Sequence, residues 1–288
     1  FNHYSLDPEI ARAIFPSRKI NGNKGSFGKT TLIVGSEKYR GAAHLAVEAA
    51  LRSGAGIVRL VAGEELCREI RLKFPEVIYF PVEISEREKI LDFCRDSSSL
   101  LIGCGSSVSR ELLELTDSLL ENYAGRIILD ADALNSISEF SSPEILKKAK
   151  NPVLITPHPL ELSRLSRASV AEIEASRLSF AKAFAEKYSC TLLLKGASTV
   201  ITDGATTYIN DIATTALSKG GSGDALAGAV ASLLACSPSP IKAAALAAFV
   251  HATAGKNLES ELSSLGVTPS DLPREMAKIL SQIEKSTF

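Results

Sequence analysis

The chain has 288 residues, of which 45% are apolar, 23% are charged and 6% are aromatic. This length and apolar content are enough for one large domain with a buried core, or for two small ones. The net charge is −1 and there is no tryptophan, so the sequence lacks the basic field and the stacking aromatic residues typical of nucleic-acid-binding proteins. No apolar run reaches the roughly 20 residues that a membrane-spanning helix requires. We therefore expect neither nucleic acid nor a membrane as a partner.

The cysteines and the first residues indicate a compartment. The five cysteines are scattered, and none is spaced as a metal-ligand or redox pair. They are Cys67, Cys94, Cys104, Cys190 and Cys236. Unpaired, odd-numbered thiols are typical of a reducing cytosol, and residues 1–4 show no signal-peptide pattern. We therefore expect buried thiols in a cytoplasmic protein.

Taken in chain order, residues 1–20 are polar to mixed and predict a lead-in segment with a short helix at 8–14. Residues 21–288 contain no linker, repeat or low-complexity tract and predict a single domain. Short apolar runs predict strands at 30–34, 57–61, 77–80, 100–102, 126–129, 153–155, 192–194, 200–202 and 206–210. Helical patterns are found at 42–50, 64–73, 85–95, 109–122, 170–187, 225–235, 241–257 and 271–283. Alternating strands and helices predict an α/β fold, a three-layer α/β/α sandwich with a mainly parallel sheet.

A glycine-rich loop with a single acid precedes the helix that starts near residue 225. Its glycines let the backbone turn sharply and approach a ligand closely. The helix directs its first N–H groups at this loop, which suits an anion, so we interpret Gly220, Gly221, Ser222 and Gly223 as an anion hole. Asp224 then acts as a general base that takes a proton from a hydroxyl attacking a phosphoryl group. The alternative is an acid that caps the helix after a flexible turn.

Four predicted strands end in polar sequences, at 103–106, 130–135, 156–161 and 195–199. The carboxyl ends of parallel strands point the same way, which is where open α/β sheets bind ligands. We therefore expect these strand ends to converge with the glycine-rich loop on one crevice.

Three strand-end residues carry alternative interpretations. His158 lies between two prolines and either contacts a ligand or is a loop histidine satisfied by backbone. An imidazole of ordinary pKa would titrate between roughly pH 5.5 and 7.5. Glu161 either caps the next helix or orients a metal-bound water or a phosphate. Lys195 either neutralises phosphate charge or is a solvated lysine.

Other polar residues are weaker candidates. Asp130 and Asp132 either face the site or start a helix, and Asn135 is the better candidate for a neutral hydrogen-bonding role. His44 and His251 fall on apolar helices and are expected to be core or surface residues.

Six motifs occur in a characteristic order. They are GAA at 41–43, LRSGAG at 51–56, LDADALN at 129–135, TPHPxE at 156–161, KGAxT at 195–199 and GGSGD at 220–224. In this order they resemble the ADP/ATP-dependent NAD(P)H-hydrate dehydratases over residues 24–254. The last motif alone is similar to the wider ribokinase-like superfamily.

The resemblance implies a ribokinase-like fold and the dehydration of (6S)-NAD(P)HX to NAD(P)H, through phosphorylation of the ring hydroxyl and elimination of phosphate. It implies ADP or ATP as co-substrate, with Mg²⁺ bridging the nucleotide phosphates. It also implies NAD(P)HX epimerase as a functional partner and a homo-oligomeric assembly. By position, it assigns hydrate contacts to Ala42, Gly105, His158 and Asp224. It assigns nucleotide contacts to Lys195, Gly196, Ala197, Ser198, Thr199 and Gly223.

Three departures from the family pattern bear on nucleotide preference. Residues 23–28 read NKGSFG where the family often has HKGDYG, and 212–214 read IAT where a Thr-Gly-Asn is usual. Lys219 stands where a threonine is common. The rival functions are a ribokinase-like kinase of a vitamin precursor or sugar, and a nucleotide sensor without turnover. An intact Asp224 argues against the sensor.

Overall fold

This computed structural model describes residues 2–18 and 21–285. Within them lie ten strands and twelve α-helices. The strands are β1 (Asn2–Ser5), β2 (Lys29–Ile33), β3 (Ile57–Ala62), β4 (Ile78–Pro81), β5 (Ser99–Ile102), β6 (Arg126–Leu129), β7 (Leu154–Ile155), β8 (Thr191–Leu194), β9 (Thr199–Thr202) and β10 (Thr206–Asn210). The helices are α1 (Pro8–Ala13), α2 (Arg40–Arg52), α3 (Glu64–Arg71), α4 (Arg87–Cys94), α5 (Arg110–Asn122), α6 (Asp132–Phe140), α7 (Pro159–Ser166), α8 (Val170–Ala175), α9 (Arg177–Tyr188), α10 (Ser222–Cys236), α11 (Pro240–Gly266) and α12 (Leu272–Lys285).

One sheet contains all ten of these strands, in the order β1-β10-β9-β8-β7-β6-β5-β2-β3-β4. Strands β2 to β8 pair in parallel, while β9 is antiparallel to both β8 and β10. Parallel pairing directs the carboxyl ends of β2 to β8 to one edge of the sheet, which is the edge predicted to carry the site.

Helices cover both faces of the sheet. Helices α1, α2, α3, α10, α11 and α12 pack on one face, and α4 to α9 pack on the other. Side chains alternate along each strand, so Leu32 belongs to the first core and Ile33 to the second. The prediction of a three-layer sandwich with a mainly parallel sheet is confirmed.

The two helices nearest the glycine-rich loop pack closely. A Cβ at Gly228 of α10 would lie 2.1 Å from the carbonyl oxygen of Ala46 in α2, so only glycine permits this approach. Contact at backbone distance fixes α10, and with it the loop at its N-terminus, against α2 and the sheet.

Two parts of the chain differ from the sequence prediction. Residues 1–20 were predicted to be a lead-in segment, but residues 2–5 form β1, which pairs in parallel with β10. Residues 1, 19 and 20, and residues 286–288 of the predicted domain, lie outside the described residues. The helix predicted over 170–187 is two helices, because Ser176 has a non-helical conformation (φ −146°, ψ 42°).

The thiols agree with expectation. All five cysteines are free, and four of them are buried, while Cys236 is partly exposed. Within the described residues, no helix is both long enough and apolar enough to cross a membrane.

Candidate active site

The glycine-rich loop ends at the N-terminus of α10. Gly221 is the residue that precedes the helix, and its φ of +103° is in the left-handed region that favours glycine. A Cβ at this position would also lie 2.5 Å from Leu45. The loop thus reaches the helix through a left-handed residue, and the N–H of Ser222, the first residue of α10, donates to the carbonyl oxygen of Lys219 (3.2 Å). Asp224 lies in the first turn of this helix.

Four neighbouring strands bring together a buried polar network around Asp130, which follows β6. One carboxylate oxygen, Oδ1, accepts hydrogen bonds from Lys195 Nζ (2.9 Å) and Thr156 Oγ1 (2.8 Å). The other oxygen, Oδ2, accepts from Cys104 Sγ (3.3 Å). Cys104, Thr156 and Lys195 follow β5, β7 and β8 respectively, so the strand ends meet as the topology predicts.

Asp224 adjoins this network. A carboxylate oxygen of Asp224 lies within 4.8 Å of ligand atoms of both Asp130 and Cys104. Burial, and then the negative charge of Asp130, raise the pKa of Asp224 to about 6, while Lys195 opposes the rise. Burial raises the pKa of the Cys104 thiol well above its usual range. At neutral pH, therefore, Cys104 is a neutral donor and Asp224 is an ionised carboxylate with more basicity than an ordinary aspartate.

His158 and Glu161 form a capping box at the start of α7. The His158 N–H donates to Glu161 Oε2 (2.8 Å), and His158 Nδ1 accepts from the N–H groups of Leu160 (3.2 Å) and Glu161 (3.3 Å). Of the two interpretations of Glu161, the helix cap is thus observed. The other ring nitrogen, Nε2, lies 3.3 Å from Glu161 Oε1, so both ring nitrogens have partners, and the side chain keeps 44% of its exposure.

The pKa values of this pair depart from ordinary values. Burial, and then the positive charge of Lys195, lower the pKa of His158, so the assumption of an ordinary imidazole pKa was wrong. Burial raises the pKa of Glu161 to about 7, against the opposing charge of Lys195, whose Nζ lies 3.8 Å from Glu161 Oε2. At Lys195 itself, burial lowers the pKa but Asp130 and Glu161 raise it more, so the ammonium stays charged.

A cavity of about 570 Å³ lies between the ends of β8 to β10 and helix α11. We call it the β8–α11 cavity. Among the residues predicted to bind a nucleotide, Lys195, Gly196, Ala197, Thr199 and Gly223 line it. Ser198 is not among the lining residues, and its Oγ donates to Asp211 Oδ1 at 2.5 Å. The volume is typical of sites for small ligands and cofactors.

The predicted hydrate contacts at the other side of Asp224 are also neighbours. Gly105 has a φ of +60°, and a Cβ there would lie 2.6 Å from the Cβ of Ala42. The two residues are therefore in direct contact, and a side chain at position 105 would collide with Ala42. Asn135 is engaged elsewhere, since its Oδ1 accepts from Arg164 Nη1 at 2.9 Å.

The carboxylates do not form a ready-made magnesium cage. Mg²⁺ prefers oxygen ligands in octahedral geometry. In the cluster of Cys104, Asp130 and Asp224, the thiol is protonated, and both oxygens of Asp130 already accept hydrogen bonds. Asp224 is the member left to face an ion, so the residues fit a magnesium held mainly by nucleotide phosphates and water.

Comparison with known proteins decides the family. The family model for NAD(P)H-hydrate dehydratase matches residues 30–278. The chain belongs to the NAD(P)H-hydrate dehydratase family. The ADP-dependent (S)-NAD(P)H-hydrate dehydratase of Nitrosopumilus maritimus is 31% identical over 290 residues, covering 98% of each chain. The bifunctional NAD(P)H-hydrate repair enzyme of Thermofilum pendens is 31% identical over 94% of this chain. The chain spans about half of that bifunctional relative, 53% of its length.

Solved structures agree with this family assignment. The ADP/ATP-dependent NAD(P)H-hydrate dehydratase of Bacillus subtilis, co-crystallised with ATP and Mg²⁺, matches 98% of each chain with 29% identity and a TM-score of 0.85. A ribokinase-like superfamily protein of Enterococcus faecalis gives a TM-score of 0.87 at 24% identity, with 98% of this chain and 96% of that chain covered. The predicted family resemblance and the ribokinase-like fold are both confirmed.

Sequence reasoning missed several residues around this dehydratase-family site. Arg177 of α9 donates from Nη2 to the carbonyl oxygens of Leu194 (3.1 Å), Lys195 (3.1 Å) and Ser198 (3.0 Å), and so shapes the predicted nucleotide loop. A Cβ at Gly196 would lie 2.5 Å from this guanidinium. No local sequence pattern identifies this role, because Arg177 lies 17 residues before Leu194 in the chain.

His251 and Cys104 also have closer relations to the site than expected. His251 is buried in α11, as predicted for a core residue, but its Nε2 lies 3.0 Å from the carbonyl oxygen of Ser222 in the anion loop. Burial lowers the pKa of His251 to about 4, so the ring is neutral and supports the loop without adding charge. Cys104 lies in a strand-end turn that the sequence identified. Its hydrogen bond to Asp130 was not predicted, because no sequence pattern connects a single cysteine with that residue.

Proposed function

We propose that this protein catalyses the ADP- or ATP-dependent dehydration of (6S)-NAD(P)HX to NAD(P)H, as a hydro-lyase. The observation that carries the proposal is the placement of Asp224. It stands at the head of the α10 N-terminus, beside a cavity of nucleotide size, with a pKa of about 6. Membership of the NAD(P)H-hydrate dehydratase family supports the same reaction.

In the proposed first step, Asp224 takes the proton of the ring hydroxyl as that oxygen attacks the terminal phosphoryl group of the nucleotide. The new O–P bond forms while the bond from phosphorus to the departing nucleotide breaks, releasing ADP from ATP or AMP from ADP. N–H groups of the loop at residues 220–223, other than that of Ser222, which donates to Lys219, stabilise the negative charge on the transferring phosphoryl group. Hydroxide is thereby replaced by phosphate, a better leaving group.

In the second step, the lone pair of the ring nitrogen expels the phosphate, and loss of a proton from the neighbouring ring carbon restores the double bond of the nicotinamide ring. The proposed hydrate contacts are Ala42, Gly105 and His158, together with Asp224, and Asn135 remains a candidate near α7. Because the His158 ring already caps α7, we expect it to contact the hydrate through its exposed edge.

The nucleotide is proposed to occupy the β8–α11 cavity. Lys195, Gly196, Ala197, Thr199 and Gly223 line this cavity. Ser198 belongs to the same loop, and Arg177 donates hydrogen bonds to the carbonyl oxygens of Leu194, Lys195 and Ser198. Mg²⁺, when bound, supplies charge neutralisation to the phosphates. Asp224 would face its water shell, and Glu161, whose carboxyl is buried in the capping box, would act on the ion only indirectly.

The cellular setting is proposed on similar grounds. NAD(P)HX epimerase is the expected functional partner, since several relatives are named bifunctional NAD(P)H-hydrate repair enzymes. We further propose a homo-oligomer located in the cytoplasm, where the five free thiols would remain reduced.

Incubation with NADHX and either ADP or ATP, followed by the absorbance of NADH, tests the proposed function. We expect NADH to form only when nucleotide is present. Asp224→Asn should reduce the rate by about 100- to 10,000-fold, while nucleotide binding persists. Asp92→Asn, which changes an exposed acid on α4, serves as the matched control. A folded Asp224→Asn variant within a few-fold of the parent would show that Asp224 is not the base. Nucleotide consumption without NADH, on a sugar or vitamin precursor, would identify a kinase instead.

A further inference from the structure

A second cavity, of about 520 Å³, opens at the same edge of the sheet as the reacting centre. The carboxyl ends of β2 and β3, the residues after β4, and the turn after β5 line it, and we call it the β2–β4 cavity. Its size is again typical of a site for a small ligand. The proposed dehydration steps give this cavity no role.

The β2–β4 cavity adjoins the turn that carries one of the proposed hydrate contacts, Gly105. Ser106 and Ser107 of its lining follow Gly105 directly in the chain. The Ser107 N–H donates to Asp132 Oδ2 (2.8 Å), and the Ser107 and Ser36 hydroxyls are 3.0 Å apart. A ligand in contact with Gly105 can therefore extend into the cavity without leaving the protein surface.

The two cavities flank the reacting centre along the sheet. Asp130 follows β6, the β8–α11 cavity lies toward β8, and the β2–β4 cavity lies toward β3. With about 4.8 Å between neighbouring strands, β3 is about 14 Å from β6. This is the scale of the separation between the nicotinamide ring and the adenosine end of an extended dinucleotide. A two-substrate reaction with one nucleotide on each side fits this arrangement.

The charges of the β2–β4 cavity decide which dinucleotide it suits. Its lining contains four glutamates, Glu37, Glu64, Glu65 and Glu83, against two cations. One of these cations, Arg40, is already bound to Glu65 (3.0 Å) and to Glu69 (2.9 Å). Within residues 2–18 and 21–285, Glu37 and Glu83 have no such cationic partner.

The other cation, Lys38, lies on the side of the reacting centre. Burial raises the pKa of Asp132, and the positive charge of Lys38 partly opposes this effect. Lys38 is exposed, with its ammonium 5.1 Å from the centroid of the Tyr39 ring. It is thus placed between the reacting centre and the acidic part of the cavity, where a pyrophosphate would pass.

In dinucleotide sites, an acid at a strand end accepts hydrogen bonds from the ribose hydroxyls of NAD, whereas an accessible arginine accommodates the 2′-phosphate of NADP. Glu83 follows β4, and its Oε1 lies 3.7 Å from the Cβ position of Gly63, at the end of β3. A 2′-phosphate would meet this carboxylate and find the guanidinium of Arg40 already paired.

We propose that the β2–β4 cavity binds the adenosine half of the hydrate, with Glu83 at the ribose, and that it selects NADHX over NADPHX. This inference rests on the proposed function, since it concerns the second substrate of that reaction.

Steady-state kinetics with each hydrate varied at saturating nucleotide tests the selection. We expect kcat/KM for NADHX to exceed that for NADPHX by about tenfold or more, mostly through KM. Glu83→Lys should reduce this preference by about tenfold or more, and leave the KM for ADP or ATP unchanged. Glu88→Lys makes the same charge change on the exposed surface of α4, outside the cavity, and should leave the preference as it is.

A binding measurement separates failure of this inference from failure of the proposed function. Calorimetry with NADH and NADPH, in the presence of ADP, needs no turnover and should show the same preference and the same change in Glu83→Lys. If hydrates are dehydrated but Glu83→Lys and Glu83→Gln, both with parental melting curves, leave the preference unchanged, the cavity assignment is wrong and the function stands. If nothing is dehydrated while NADH still binds in preference to NADPH and Glu83→Lys reverses this, the cavity assignment stands and the function is wrong.

Discussion

Replacing Lys195 by methionine should destabilise the protein, because the buried carboxylate of Asp130 would lose its cationic partner. The Lys195 ammonium is 2.9 Å from Asp130, whose side chain is only 2% exposed. Removing one partner of a buried ion pair costs about 3–5 kcal/mol, because the remaining charge is buried without compensation. Lys195 keeps 20% of its own exposure, and Thr156 still donates to Asp130, so we take the lower end, about 3 kcal/mol. For a domain of this size, the expected fall in melting temperature is roughly 6–12 °C.

Thermal unfolding of Lys195→Met, Asp130→Asn and the double variant measures this cost. The double variant removes both charges and should recover most of the lost melting temperature. Lys148→Met is the matched control, since Lys148 pairs with Asp117 and Glu121 at the exposed surface, where ion pairs contribute little. Calorimetry should also show weaker ADP and ATP binding, with a smaller loss for the hydrate. A Lys195→Met variant that melts with the parent would refute the argument from buried charge.

Three further predictions follow from the site. The rate should rise with pH through about 6 and level off above it, because Asp224, whose pKa is about 6, must be ionised to act as a base; a pH–rate profile that is flat from pH 5 to 7 would contradict this. His158→Ala should cost about 1 kcal/mol of stability through loss of the α7 cap, whereas His158→Asn should keep the cap. If the imidazole also binds substrate, both variants should raise the KM for NADHX, with a smaller effect on the KM for ADP or ATP. Arg177→Lys should raise the Kd for ADP, measured by calorimetry, because a lysine cannot reproduce the three hydrogen bonds from Nη2 to the loop carbonyls; an unchanged Kd would mean that the loop holds its shape alone.

The convergence of the site could be predicted because it depends on topology. Alternating apolar runs and helical patterns require a mainly parallel sheet, and such a sheet places its strand ends on one edge. Asp130 and Lys195 are 65 residues apart in sequence, yet both directly follow strands of that sheet. Their approach therefore follows from the element order, without any knowledge of side-chain positions.

Contacts that depend on packing could not be predicted in this way. Strand β1 is four residues of ordinary polarity, and only pairing with β10 makes it a strand. The interruption at Ser176 does not disturb the helical period enough to be visible in sequence. Arg177 lies on a helix surface pattern typical of a solvated residue, and its role depends on where α9 crosses the end of β8. Likewise, the local sequence was enough to suggest that Glu161 caps a helix. Its pKa of about 7 arises from burial, which the local sequence does not reveal.

The distribution of charge explains how an anion site tolerates three acids around it. Asp130 is neutralised by Lys195 and receives two further hydrogen bonds. Burial raises the pKa of Glu161, which disfavours its charged form beside the site. Asp224 is then the carboxylate that is both ionised and adjacent to the anion loop. Repulsion from a bound phosphate would increase the proton affinity of Asp224 further, in addition to the increase from burial and from Asp130. The repulsion that opposes nucleotide binding therefore acts mainly on Asp224, and it increases the basicity that Asp224 needs to accept a proton.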